Sequence, residues 1–258
     1  MKKLYLILLL AVLPLLSHAQ SKVSAPTALW PELQLSYGLG ESGLLFLQNQ
    51  YRINTDGRYN GVGSFERIEF TLGYEHTFTE HWVAGAMFRY AKEDMPSSNF
   101  TSAFLRHAGT IKGLYFNKQL TLDYVNQERR DPFARFRLGA ELGKRIPLGE
   151  RFITPSLSYE LLVVKDFGEE TNELLVRTID RTRLRVEATY EISDKIRITP
   201  YFLRQTDYYF VEVSPKYDED GVLLEQGYTT KRNRISPVFG LELKYTFNRA
   251  ISTASYTY

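Results

Sequence analysis

The sequence predicts an all-β chain: an antiparallel up-and-down transmembrane β-barrel of about 10–12 strands, preceded by a cleaved signal peptide. Three observations predict it. Stretch after stretch alternates apolar and polar residues, and the polar positions hold Arg and Glu. The connections alternate between tight turns and long polar loops. The N-terminus reads as an export leader. Successive side chains of a strand point to opposite faces, so period-two alternation describes a wall with one face in an apolar medium and one in a polar space.

The leader has three parts. Lys2 and Lys3 are its positive start, Leu4 to Leu16 is an apolar run too short to cross a bilayer comfortably, and Ser17-His18-Ala19 is a small-residue exit. The expected cut falls between Ala19 and Gln20, leaving residues 1–19 as signal peptide and 20–258 as one barrel domain. A signal-anchor helix is the competing reading, and Pro14 with the small-residue exit argues against it. The chain has no Cys, which excludes a lipoprotein anchor, disulfides, thiolate catalysis and cysteine metal sites. Without Lys2 and Lys3 the basic residues number 30, equal to the 30 acidic ones. That balance lacks the basic excess a nucleic-acid partner requires.

Eleven strands are legible. The first, Trp30 to Leu39, sets Leu33, Leu35 and Tyr37 against Glu32, Gln34 and Ser36. The second runs Leu44 to Ile53, and the third Arg67 to Phe78, with Ile68, Phe70, Leu72 and Tyr74 opposite Arg67, Glu69 and Glu75. The fourth is Trp82 to Tyr90. The fifth, Ala103 to Phe116, loses its alternation near Leu114. The sixth is Leu120 to Gln127, with Asp123 on its polar face. The seventh, Phe133 to Lys144, opposes Phe136 and Leu138 to Arg135, Arg137 and Glu141. The eighth is Phe152 to Val164. The ninth, Arg181 to Ile192, opposes Leu184 and Val186 to Arg181, Arg183, Arg185 and Glu187. The tenth is Ile196 to Gln205, and the eleventh, Arg234 to Phe247, opposes Phe239, Leu241 and Leu243 to Arg234, Glu242 and Lys244.

Thr79-Glu80-His81, Asn117-Lys118-Gln119, Pro147 to Glu150 and Ser193-Asp194-Lys195 are expected as tight turns. Asn54 to Ser64, Lys92 to Ser102, Asp166 to Thr178 and Thr206 to Asn233 are expected as long loops. Short turns face the periplasm and long loops the exterior in barrels of the outer membrane. Those barrels have even strand numbers, so the count is expected to settle at ten or twelve. Tyr208 to Val213 and Gly221 to Leu224 are candidates for an extramembrane hairpin, and Ile251 to Tyr258 for an added edge.

Aromatic residues near strand ends form a candidate belt at the headgroup level: Trp30, Tyr51, Phe78, Trp82, Tyr90, Tyr190 and Phe247. The polar faces form a candidate charge network: Arg52, Arg67, Glu69, Glu75, Arg89, Arg135, Arg137, Glu141, Arg181, Arg183, Arg185, Glu187, Arg234, Glu242 and Lys244. A small barrel has little interior beyond its side chains, so these charges are expected to pair and seal it. A charged constriction that selects anions is the sharper reading, with Arg181 to Arg185 as its wall. Ser102, His107 and Glu66 or Glu69 are the residues a hydrolytic site would draw on, without diagnostic spacing. The acidic run Asp218-Glu219-Asp220-Gly221 lacks the ligand spacing of a calcium loop and reads as solvated.

The Leu44–Arg52 strand, Arg67-Ile68-Glu69 leading into Leu72-Gly73-Tyr74, Trp82 after a short turn, Phe133-Ala134-Arg135-Phe136-Arg137-Leu138 and Gly240-Leu241-Glu242-Leu243-Lys244-Tyr245 carry a resemblance. With Trp30 and Arg234, they make the chain similar to the Bacteroidota outer-membrane β-barrel family catalogued as domain of unknown function 2490. The resemblance spans about Trp30 to Phe247 and implies a fold and a location. It supplies no catalytic residue. The fifth strand departs from the pattern, with only Arg106 and His107 where an Arg-rich run is expected.

The functional expectation is a non-enzymatic outer-membrane barrel, narrow or sealed, serving membrane structure, interaction or passage of a small polar solute. It has no cofactor, no metal and no nucleic-acid partner. Outer-membrane lipid surrounds it, and an unidentified protein is a candidate partner at the long loops. Two alternatives stand beside it. One is an outer-membrane lipid-modifying enzyme of the lipid A deacylase or phospholipase type. The other is a soluble periplasmic β-protein that binds a ligand and hides its apolar faces in a core.

Overall fold

The computed structural model describes residues 21–55, 65–93, 97–167, 178–218 and 220–248. These hold β1 (Ser21–Ser24), β2 (Ala28–Leu39), β3 (Gly43–Asn54), β4 (Phe65–Thr77), β5 (Trp82–Lys92), β6 (Ser97–Ile111), β7 (Leu114–Gln127) and β8 (Arg130–Gly143). They continue with β9 (Ile146–Leu148), β10 (Arg151–Asp166), β11 (Arg181–Glu191), β12 (Ile196–Val213), β13 (Lys216–Tyr217), β14 (Leu223–Glu225) and β15 (Tyr228–Thr246). Eleven of these make a closed barrel. From β2 to β8, then β10, β11, β12 and β15, each is antiparallel to the next, and β15 returns to β2.

The expected ten or twelve strands are therefore corrected to eleven. An up-and-down barrel with an odd count must close on two strands that run the same way, and β15 pairs with β2 in parallel, Val238–Thr246 against Ala28–Ser36. β1 continues that edge, pairing with Arg232 to Ile235. Between Ser24 and Ala28 the first strand has one residue more than β15. Pro26 sits in that bulge and Pro237 lies across from it, so the ladder lacks two N–H donors there.

The side chains are distributed inside out relative to a soluble protein. Leu72, Leu138 and Phe239 are about half exposed, whereas Gln34 and Asp123 are fully buried. That is the arrangement of a wall facing hydrocarbon outside and polar groups inside, and it rules out the soluble sandwich reading. On β7 the apolar band runs over Leu120, Leu122 and Tyr124, bounded by Lys118 and Asn126.

Four inward glycines face an aromatic residue directly across the ladder: Gly73 and Phe46, Gly85 and Phe104, Gly143 and Tyr115, Gly240 and Tyr201. Each ring lies over its glycine, and a Cβ would stand 1.9–2.4 Å from it. Glycine there lets the ring lie along the wall, keeping large side chains in a small lumen without clash.

Several boundaries move. The fifth and sixth sequence strands meet at a turn on Lys112 and Gly113, both with positive φ. Asn117-Lys118-Gln119 is thus inside β7 and not a turn. Most of Lys92 to Ser102 belongs to β5 and β6. β12 and β15 continue past the barrel as far as Val213 and Tyr228, so Tyr208 to Val213 forms the expected hairpin extension. Leu223–Glu225 pairs with Lys216–Tyr217 beyond it. The leader, its cut and the Ile251–Tyr258 tail lie outside the described residues.

We predict that Gly240→Val lowers stability by about 1–3 kcal/mol through overpacking against Tyr201. Gly139→Ala, whose Cβ meets nothing nearer than 4.0 Å, leaves it unchanged. Urea unfolding in lipid vesicles measures both, and Gly240→Val combined with Tyr201→Ala should regain part of the loss.

Candidate functional site

Alternation along the strands brings the sequence-predicted charges into the barrel, and the structure supplies their partners. Asp123, fully buried, accepts from Arg135 at 2.6 Å, from Arg137 at 3.1 Å and from the Ser102 hydroxyl at 2.6 Å. Glu69 gathers Arg52, Arg67 and Arg89, at 2.5, 2.7 and 3.5 Å. Glu160 joins Arg183 at 3.2 Å and Arg137 at 3.6 Å. Asp207 holds Arg181 at 2.5 Å, with Arg234 at 3.5 Å towards the mouth. Arg185 bridges Glu187 and Glu242. Arg106 meets Glu75 at 2.8 Å. Glu141 accepts from the Tyr115 hydroxyl at 2.6 Å. Glu32 takes the amides of Gln48 and Gln50. Lys244, almost fully buried, lies two residues beyond Glu242 on the same face.

The sequence-based list omitted Glu32, Arg106, Asp123, Glu160, Arg197 and Asp207. Asp123 was legible on the polar face of its strand, but a lone acid among apolar residues gives no sign that two arginines converge on it. The arginines also have an axial order. On β8, Arg135 and Arg137 precede Glu141, and on β11, Arg181, Arg183 and Arg185 precede Glu187 and Glu191, reading from the long-loop mouth. A cavity of about 170 Å³ remains among Trp30, Arg52, Glu69, Arg137, Arg183 and Tyr201.

Of the candidate belt, Tyr51, Phe78, Trp82 and Phe247 are exposed on the outer face, and Tyr90 and Tyr190 are half-buried there. Trp30 is corrected. It is buried in the lumen, with the Arg52 guanidinium 4.1 Å from its ring centre. Its neighbour in sequence, Leu29, takes the outer face.

The hydrolytic grouping drawn from the sequence does not assemble. Ser102 and Glu69 face the lumen, Glu66 is on the outer side near the long-loop mouth, and His107 faces out near the tight-turn mouth. A different grouping forms around His107. Trp82 is its cross-strand partner on β5, with ring centres 4.8 Å apart in an edge-on contact. His81, in the turn between β4 and β5, stacks on it at 5.9 Å. His76 on β4 is the cross-strand partner of Ala84, and its Nδ1 lies 3.2 Å from the Tyr74 hydroxyl. Lys118 on β7 is the other cross-strand partner of His107. The His107 ring sits over Gly109, where a Cβ would meet it at 3.3 Å. Its Nδ1 is buried and has no hydrogen-bond partner among the described residues. His81 and His107 therefore meet on one lipid-facing edge, with His76 on the same face beyond β5. The sequence hid this because the displaced turn left the register of His107 unreadable.

In the acidic run, the Asp218 carboxylate accepts the N–H groups of Asp220 and Val222, which closes a local turn, and Glu219 lies outside the described residues.

No family model and no curated protein matches the chain. Among solved structures, its fold matches LpxR from Salmonella typhimurium with a TM-score of 0.46 and 10% identity, over 83% of this chain and 87% of that chain. The expectation of a non-enzymatic barrel serving structure, interaction or solute passage is withdrawn.

We predict that Asp123→Asn destabilises the barrel by about 3–5 kcal/mol, because it strands two buried guanidinium groups. The shift of the urea midpoint in vesicles checks this.

Proposed function

We propose that this chain acts on membrane lipid from its outer wall, as a hydrolase of lipid esters. The observation that carries the reading is the pairing of His81 with His107 beside Trp82 on one lipid-facing edge, with His76 on the same face across β5. The lumen, by contrast, commits its charges to one another. Imidazole is the side chain best suited to proton transfer near neutral pH. Trp82 and His81 pack against the ring of His107 from two sides. In the proposed step His107 takes a proton from water as that water attacks the ester carbonyl. The bond from the carbonyl carbon to the alcohol oxygen then breaks. The proton passes to that oxygen, and a fatty acid and an alcohol leave. The proposal includes export by a leader cut between Ala19 and Gln20, residence in the outer membrane, and kinship with the barrel family of unknown function 2490.

Folded protein in mixed micelles with phosphatidylglycerol or lipid A tests it, with released fatty acid read by mass spectrometry. Wild type should release fatty acid, and His107→Ala should reduce the rate about 100-fold or more. No release from folded wild type with either lipid, or an undiminished rate in His107→Ala, overturns the reading.

A further inference from the structure

The wall beside the histidine edge is not smooth. β5 and β6 turn Ala84, Ala86 and Ala103 outward, and Ala86 and Ala103 are direct cross-strand partners. Leu72 and Tyr74 stand out on β4 and Leu120 and Leu122 on β7, all between two-fifths and just over one-half exposed. Methyl groups between taller side chains leave a trough about two strand spacings wide, roughly 10 Å. One row nearer the tight turns it narrows to Ala84, beside the exposed Leu105, and it ends against the row Trp82, His107, Lys118. The Lys118 ammonium lies 5.3 Å from the centre of the Phe116 ring, which is two residues nearer the tight turn. The side chain therefore bends out of the apolar band and carries its charge towards the mouth, as lysines at a membrane edge do.

A cation at headgroup depth, an amphipathic indole beside it and an apolar trough leading away form a sequence of environments that one molecule matches. We infer that this surface binds a single glycerophospholipid, with its phosphate at Lys118 and the histidine edge and one acyl chain in the Ala84–Ala86–Ala103 trough. The inference rests on the reading that this edge meets lipid, and it names the lipid class. The tight turns mark the periplasmic rim of an outer-membrane barrel, so the lipid comes from the periplasmic leaflet. Charge complementarity selects the phosphate. The lumen offers no rival site of this kind, since Trp30 and Tyr201 line a space walled by paired charges.

Native mass spectrometry of the full chain released from nanodiscs tests this. The discs contain phosphatidylcholine with either phosphatidylglycerol or lipid A added. Wild type should retain one phosphatidylglycerol. Lys118→Gln should weaken retention about fivefold, the loss expected of one exposed charge contact. Ala103→Trp, which fills the trough, should abolish it, and Val186→Trp, on the far wall, should leave it intact. Heat-modifiable gel mobility verifies that each variant folds. Retention unchanged in both Lys118→Gln and Ala103→Trp, or preference for lipid A, overturns the inference. The two proposals fail separately. His107→Gln that retains the lipid but releases no fatty acid supports this inference, as does wild type that binds lipid and hydrolyses none. Hydrolysis that needs His107 while Ala103→Trp binds phosphatidylglycerol normally overturns this inference and spares the hydrolase.

Discussion

A backbone that crosses hydrocarbon must satisfy every amide within itself, and the rest of this structure depends on how that is done. The closure of β15 on β2 leaves no spanning edge open. Once the wall closes, period-two alternation becomes a sorting rule. One set of side chains must suit lipid, and the other must suit a narrow interior. The glycine–aromatic pairs and the ion pairs around Asp123 and Glu69 are two answers to that second demand. The first makes room for rings along the wall. The second ensures that charges removed from water find charges of opposite sign.

An interior of this kind turns attention outward. Groups engaged in several strong contacts are held in place and are poor at meeting a passing molecule. Groups on the outer rim are constrained on one side only. His107 is held by Trp82 and His81 in this way. A catalytic or binding role for the outer wall also needs no entry path, because the ligand is the solvent.

Much of the barrel was legible in the sequence because the alternation is strong. Arg181 to Glu187 could be assigned to the polar face without coordinates, and so could Arg135, Arg137 and Glu141. What was not legible has physical causes. The parity of a strand says which face a residue occupies, but the shear between strands decides which charges meet. Asp123 therefore looked solitary, although Arg135 and Arg137 both reach it. Trp30 was assigned by its residue type, but it occupies the same parity as Glu32 and Gln34. The turn at Lys112-Gly113 was missed because a polar run at Asn117 to Gln119 resembled one. That error hid the direction of His107 and the partnership of Lys118 with it. Eleven strands are legible in the alternation, and the rule of even numbers concerns antiparallel closure, which the parallel pairing of β15 and β2 escapes.

That parallel seam separates the two ends of the wall. Ser21 is aligned with Arg232 near the long-loop mouth, whereas the Asn248 side chain bonds to the backbone of Gly38 at the tight-turn mouth. Ser21 and Asn248 therefore stand at opposite rims of the barrel. Barrels with an even count return both ends to one compartment and can be permuted by a short linker. Here a link from Asn248 to Ser21 would have to span the height of the wall. The odd strand thus gives the wall a direction, entered at one rim and left at the other.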